Sequence, residues 1–176
     1  MISLNALTAG KSPPDEVNVV IEIPKGSNIK YEIDIETGAI FVDRCLSVAM
    51  CYPCNYGFIP NTNEYGGDPI DVFVLMDDPL EIASVIRSRP IGVLLSEDQD
   101  GQDSKIIAVP ITETDSKFSD ITDLKDIPDY MLSKLEHFIE HHKDLEEGKY
   151  VKVKSWEGKQ VAMKKISEAI EKYDKK

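Results

Sequence analysis

The 176-residue chain has few cysteines and no long apolar run, and each lack excludes a class of protein. Its three cysteines, Cys45, Cys51 and Cys54, are too few and odd in number for a disulfide framework. The start, MISLNAL, lacks the basic residues and the apolar run of a signal peptide, and no stretch approaches the ~18 apolar residues of a membrane helix. We therefore expect a cytoplasmic protein.

Positive charge is also scarce, since 20 Lys and Arg face 32 Asp and Glu and the formal net charge is −12. This balance argues against nucleic acid and anionic membranes as partners, because both are bound through clustered Lys and Arg. It favours cations, and it still admits a small anionic substrate because a divalent metal can lie between carboxylate and phosphate. With 41% hydrophobic residues and only 10 Gly and 10 Pro, the chain is typical of one globular domain over residues 1–176.

Alternating apolar and polar residues predict strands over 17–24, 29–34 and 39–44, which we interpret as a three-stranded meander. Further strands are predicted over 71–76, 84–95 and 106–109, with a bend or sheet edge at Pro90. Helical spacing predicts helices over 128–142 and 161–173, and residues 55–60 are interpreted as a loop. Strands first and helices last indicate an α+β fold, a small antiparallel barrel with helices packed outside.

Two acidic segments are candidates for a metal site, residues 64–71 (EYGGDPID) and 97–103 (EDQDGQD). If their carboxylates converge at about 5 Å, each pair repels by roughly 3 kcal/mol at an effective dielectric near 20, so the cluster needs cations. Hard oxygen ligands select Mg²⁺, Mn²⁺ or Ca²⁺ over zinc. On spacing alone, solvated turns are the favoured interpretation of both segments. An EF-hand does not fit, because placing Gly101 at its sixth position puts Ile107 where the bidentate Glu belongs.

Basic residues recur beside these segments. Lys30 and Glu32 are two apart and share one strand face, Glu22 and Arg44 end predicted strands, and Lys105 follows the second acidic segment. Each is explained by a surface charge or a cross-strand ion pair. Together they are able to cradle a phosphate.

The Cys51-Tyr-Pro-Cys54 run has the spacing of a redox site, but no helix is predicted after it to lower a thiolate pKa. A zinc site would need two further ligands, and the only other cluster is His137, His141 and His142. Packed cysteines are the favoured interpretation. His137 and His141 lie one helical turn apart, which suits either a ligand pair or an exposed helix face.

In its ordered motifs the chain resembles the soluble family I inorganic pyrophosphatases. The resemblance rests on VVIEIP (19–24), IKYEID (29–34), GAIFVDR (38–44), YPCNYGFIP (52–60), GDPIDV (67–72), SVIRSRPIGVL (84–94), KIIAVP (105–110) and HFIEHHKDLE (137–146). It implies a five-stranded OB-like barrel with helices outside, Mg²⁺-dependent hydrolysis of pyrophosphate with Mn²⁺ as a possible substitute, and a homohexamer.

The resemblance also implies roles for single residues. Asp68 is the expected general base on a metal-bridging water, and Asp71, Asp98, Asp103 and Glu32 are expected at the metals. Phosphate oxygens are expected to contact Lys30, Arg44, Tyr56, Lys105, His142 and Lys143, with Glu22 and Tyr52 in the cavity.

Two departures from the family pattern carry predictions. Gly66 stands where the family has an acidic residue, so a metal site should be weaker, with Glu64 or water as substitute. His142 stands where the family usually has Tyr, and we expect it to donate a hydrogen bond to phosphate and to titrate between pH 6 and 8. A phosphate- or cation-binding module that has lost catalysis is the alternative function.

Overall fold

The computed structural model describes residues 6–175 apart from the side chain of Tyr65, so residues 1–5, on which part of the signal-peptide expectation falls, lie outside it. The strands are β1 (Val17–Ile23), β2 (Ile29–Ile33), β3 (Ile40–Cys45), β4 (Asn55–Phe58), β5 (Asp71–Val74), β6 (Val85–Asp98), β7 (Gly101–Pro110) and β8 (Val151–Gly158). The α-helices are α1 (Asp129–His141) and α2 (Lys159–Asp174).

Five strands close into a ring in the order β1-β4-β5-β7-β6, because β1 pairs with both β4 and β6. Every contact in the ring is antiparallel except β5–β7, which is parallel. The long strand β6 also pairs with β8 through its second half. The predicted five-stranded OB-like barrel is confirmed, and the expected bend at Pro90 is a register shift between Pro90 and Gly92.

The predicted meander of the first three strands is wrong. Only β2 and β3 pair with each other, and they form a separate two-stranded hairpin beside the barrel. The reason is closure of the ring, since β4 and β6 occupy both edges of β1 and leave no edge for β2.

Two strands lie where none was predicted. Residues 55–58, interpreted as part of a loop, form β4, in which all four residues are buried. Gly57 permits this strand, because a Cβ built there would lie 1.8 Å from the Val20 carbonyl oxygen. The strand β8 lies between the two helices, so the elements do not run strands first and helices last.

Much of both faces of the ring strands is buried, and apolar residues on the two faces belong to different clusters, each of which includes one helix. Along β7, Ile107 and Val109 belong to the apolar cluster that includes Leu135 and Phe138 of α1. Ile106 and Ala108 belong to the cluster that includes Ile166 of α2. Both helices lie within two residues of their predicted bounds. No helix in the described part of the chain is long and apolar enough to cross a membrane.

The three cysteines are free thiols. Cys54 is buried in the core, as expected, whereas Cys45 and Cys51 are exposed. Burial raises the pKa of the Cys54 thiol, which is the opposite of what a redox cysteine needs. Within residues 6–175 no group of three or more His, Cys, Asp and Glu side chains is arranged to hold a metal ion by itself, and the rings of His137 and His141 are neighbours on α1.

Candidate active site

A cavity of about 740 Å³ opens between the barrel, the β2–β3 hairpin and the end of α1. All thirteen residues predicted for the site line it, namely Glu22, Lys30, Glu32, Arg44, Tyr52, Tyr56, Asp68, Asp71, Asp98, Asp103, Lys105, His142 and Lys143. Glu64, Asp100 and Gln102 also contribute to its lining. The fold therefore brings both acidic segments and the scattered basic residues into one place.

Three ring strands hold the charged centre of this cavity. Asp71 begins β5 and lies directly beside Lys105 in the parallel β5–β7 pair. Lys105 Nζ lies 2.7 Å from Asp71 Oδ2, 3.1 Å from Asp103 Oδ2 and 3.2 Å from the Tyr56 hydroxyl, which donates a hydrogen bond to Asp71. Burial disfavours the charged ammonium, but Asp71 and Asp103 outweigh it and raise the pKa of Lys105 well above its ordinary value. Lys105 is therefore a fixed cation.

Asp98 and Asp103 reach the cavity from the tight β6–β7 hairpin, where Asp98 pairs with Gly101. The Asp98 carboxylate accepts the Asp100 backbone N–H at 2.9 Å and the Lys143 ammonium at 3.0 Å. Burial opposes its charge, but these two donors lower its pKa. A two-residue turn between strands is no EF-hand loop, which confirms the rejection of that alternative.

The β2–β3 hairpin supplies a second charged side of the cavity. Lys30 Nζ lies 2.6 Å from Glu32 Oε1 and 3.2 Å from Asp43 Oδ2, which confirms that Lys30 and Glu32 share a face. Glu22, on β1, accepts the backbone N–H of Ile33 at 2.9 Å and so ties the hairpin to the barrel. Burial of Glu22, with a smaller contribution from Asp71, raises the pKa of its carboxyl to about 7.

His142 and Lys143 reach the cavity just after α1 ends. His142 Nδ1 lies 2.9 Å from the Ile139 carbonyl oxygen, so Nδ1 carries the proton and Nε2 of the neutral ring is an acceptor. Burial lowers the pKa of His142 to about 4. Without a ligand the ring is therefore neutral at pH 6–8, which is the opposite of the expected titration, while its contact with phosphate stays a prediction.

The loop before β5 places Asp68 and contains the departure at Gly66. The Glu64 N–H donates to the Asp68 carbonyl oxygen at 2.8 Å and closes this loop at its base. Gly66 has a φ of +77°, and a Cβ built there would have no neighbour within 4 Å. Glu64 accepts a hydrogen bond from the Ser104 hydroxyl, and burial raises its pKa. We did not predict Glu64 as a primary site residue, although its place in the first acidic segment was the available signal.

The donor set of the cavity fits magnesium. Eight carboxylates line the cavity against four cationic side chains, so an excess of negative charge faces a space able to hold small ions. Apart from Nε2 of His142, the metal-ligating atoms that line the cavity are oxygens, because the Cys thiols lie elsewhere. Mg²⁺ keeps several waters and binds through one or two carboxylates plus substrate phosphates, so it does not require a preformed cage.

Comparison with known proteins agrees with this geometry. The model of the inorganic pyrophosphatase family matches residues 19–174. The inorganic pyrophosphatase of Aquifex pyrophilus is 51% identical to this chain and the match covers 96% of each chain. The solved structure from Thermus thermophilus has a TM-score of 0.94 at 40% identity, covering 98% of this chain and 99% of its own. That from Helicobacter pylori has a TM-score of 0.93 at 47% identity, covering 96% and 99%. The chain therefore belongs to the inorganic pyrophosphatase family.

Proposed function

We propose that this protein hydrolyses inorganic pyrophosphate to two phosphates in the cavity described above and that the reaction depends on Mg²⁺. The observation that carries the proposal is the meeting of eight carboxylates and four cations in one cavity. The carboxylates alone would repel a diphosphate, and the cations alone are outnumbered. Divalent cations remove the repulsion between the carboxylates and the diphosphate, because they bind carboxylate and phosphate oxygens together.

Bound Mg²⁺ ions supply the chemistry of charge neutralisation on the diphosphate and of a lowered pKa for the attacking water. The ligands proposed for them are Asp71, Asp98, Asp103 and Glu32, with Mn²⁺ as a substitute cation.

Asp68 is the proposed general base, which accepts the proton of the attacking water. It lies on the loop that the main-chain Glu64–Asp68 hydrogen bond closes, so its backbone is anchored beside the cavity, which its side chain lines. Removal of a general base costs 10²- to 10⁴-fold in rate. Direct attack by water needs no covalent intermediate on the protein.

The proposed phosphate ligands are already placed at the cavity, and most are held by carboxylates. Lys105 contacts Asp71 and Asp103, Lys143 contacts Asp98, and Lys30 contacts Glu32. Each ammonium is thus able to exchange a carboxylate partner for a phosphate oxygen, and its charge stabilises the transferred and departing groups. Tyr56 and Arg44 complete this set, while His142 faces phosphate as an acceptor through water.

Phosphate release from pyrophosphate tests the proposal. We expect rapid release with Mg²⁺, none with excess EDTA, and a fall of at least about 100-fold for Asp68→Asn at saturating Mg²⁺. The exposed Asp120→Asn serves as the control. An absence of release by the wild type would favour a binding module that takes phosphate or cations without catalysis.

A homohexamer in the cytoplasm is also proposed from the family resemblance. Its support on this chain is the exposed apolar surface of β3, where Ile40, Phe41 and Val42 are 47%, 58% and 63% exposed. Light scattering coupled to size exclusion gives the mass in solution, and a monomer at micromolar concentration would contradict the proposal.

A further inference from the structure

Arg44 of the cavity has one buried partner that does not itself line the cavity. Arg44 Nε lies 3.1 Å from Glu146 Oε1, and the Glu146 side chain is only 12% exposed. Glu146 belongs to the segment after α1, whereas Arg44 lies on β3. The pair therefore joins two elements that lie far apart in the sequence and come into contact in the folded protein.

Both atoms of this pair depend on each other. Arg44 Nε and Glu146 Oε1 are buried, and neither has a well-aligned hydrogen-bond partner among the described residues. The 3.1 Å ion pair is thus the compensation that each atom receives for its loss of water. The other oxygen of Glu146 lies 2.9 Å from the half-exposed Lys149 ammonium.

The contacts of Arg44 with Glu146 and Asp43 limit how the guanidinium faces a ligand in the cavity. Nε lies 3.1 Å from Glu146 Oε1 without the alignment of a hydrogen bond, and Nη1 lies 3.3 Å from Asp43 Oδ2. Two carboxylates beside a planar guanidinium restrict its orientation through charge, and Arg44 lines the cavity.

We infer that Glu146 is a positioning residue for phosphate binding, which orients Arg44 and joins the β2–β3 hairpin to the segment that carries Lys143. The inference rests on the proposed function, because it takes pyrophosphate to be the ligand whose affinity increases when Arg44 is oriented. It predicts that Glu146 affects the affinity for phosphate groups through Arg44 and has little effect on the chemical step.

A double-mutant cycle tests this inference. The variants are Glu146→Gln, Arg44→Gln and their combination, with Glu147→Gln as the control because Glu147 is the exposed neighbouring residue of the same type. The measurements are the Kd of inorganic phosphate by calorimetry with Mg²⁺, the KM and kcat for pyrophosphate, and the Tm.

For Glu146→Gln we expect the Kd and the KM to rise about tenfold and kcat to change less than about threefold. In the Arg44→Gln background the same change should alter KM less than about twofold, because the group that Glu146 positions is gone. An equal rise of KM in both backgrounds, or a lower Tm with unchanged KM, would show a merely structural role and overturn the inference.

Two further outcomes are separated by the design. If Glu146→Gln does not fold, Glu146→Asp takes its place, since it retains the charge and shortens the reach, and the same criteria apply. If the wild type releases no phosphate from pyrophosphate, the proposed function fails; if wild type and Arg44→Gln differ but Glu146→Gln equals wild type, only the positioning role fails.

Discussion

The two charged sides of the cavity both pair cationic side chains with carboxylates, and they hold these side chains by different means. On the barrel wall, which we define as Tyr56, Asp71, Asp103 and Lys105, the side chains project from paired strands and the Lys105 side chain is 12% exposed. On the hairpin wall, defined as Lys30, Glu32, Asp43 and Arg44, the strands are exposed along most of β3 and the Glu32 side chain is 56% exposed.

The comparison shows that packing positions the barrel wall, whereas electrostatic contacts position the hairpin wall. The barrel wall is positioned by the ring itself, and its central cation, Lys105, is largely shielded from water, whereas Asp71 and Asp103 are each 31% exposed. The hairpin wall is positioned by its own ion pairs and by Glu22 and Glu146, in surroundings where water and salt weaken each contact. Changes on the barrel wall should therefore cost stability, whereas changes on the hairpin wall should mainly affect ligand affinity.

The largest effect should come from the matched pair Lys105→Met and Lys30→Met. We expect Lys105→Met to lower the free energy of unfolding by about 3 kcal/mol in EDTA, because it leaves Asp71 and Asp103 facing each other without their shared cation. Lys30→Met should cost less than about 1 kcal/mol, because Lys30 is itself about twice as exposed as Lys105 and one of its two partners, Glu32, is largely solvated. Urea unfolding measures both values, and equal losses would break the distinction between the walls.

A smaller effect, of order 2 kcal/mol, is expected from Glu22, which connects the walls. Because the folded-state pKa is raised from 4.5 to about 7, Glu22 favours folding below pH 4.5, and this contribution is lost as the pH rises through 7. Glu22→Gln should flatten the decline in unfolding free energy between about pH 5 and 8. Urea titrations in EDTA at several pH values test this, with Glu16→Gln as control; parallel curves for wild type and Glu22→Gln would refute it.

The strands whose apolar and polar residues alternate were predictable from sequence, because one face of such a strand is buried and the other is in contact with water or polar groups. The strand β4 was not, since all four residues of Asn55–Phe58 are buried and no alternation remains. The strand β8, by contrast, has a visible signal that we did not use, Val151 and Val153 alternating with Lys152 and Lys154.

The membership of the site was predictable only through the family resemblance. Residue patterns identified two acidic segments, but their meeting depends on the parallel β5–β7 pair, which places Asp71 beside Lys105 across 34 positions of sequence. No local pattern encodes such a pairing. The lowered pKa of His142 was not predictable for a related reason, because the burial that lowers it comes from tertiary packing.

We expect Gly66→Asp to have an effect of moderate size on the Mg²⁺ requirement. It tests whether the loop before β5 takes part in the metal site. The open space at Gly66 admits a carboxylate that faces the cavity, so we expect the half-saturating Mg²⁺ concentration to fall about threefold. The left-handed backbone at φ +77° should cost about 1 kcal/mol of stability. Gly26→Asp is the matched control, since Gly26 has a φ of +87° and open space but lies outside the cavity lining. A Mg²⁺ requirement no lower than that of the parent would contradict the expected role.

The smallest effect should come from His142, and it should be confined to acid. The neutral ring at pH 6–8 gives no titration there, so His142→Gln should leave the shape of the pH–rate profile in that range unchanged. Its pKa is lowered on folding, from 6.5 to about 4, so its contribution to stability is present above pH 6.5 and is lost as the pH falls toward 4. His142→Gln should therefore lose less stability than the wild type over that acid range, while His137→Gln, on the exposed face of α1, should follow the wild type. A wild-type inflection between pH 6 and 8 that disappears in His142→Gln would show that the ring gains a proton when the cavity is loaded.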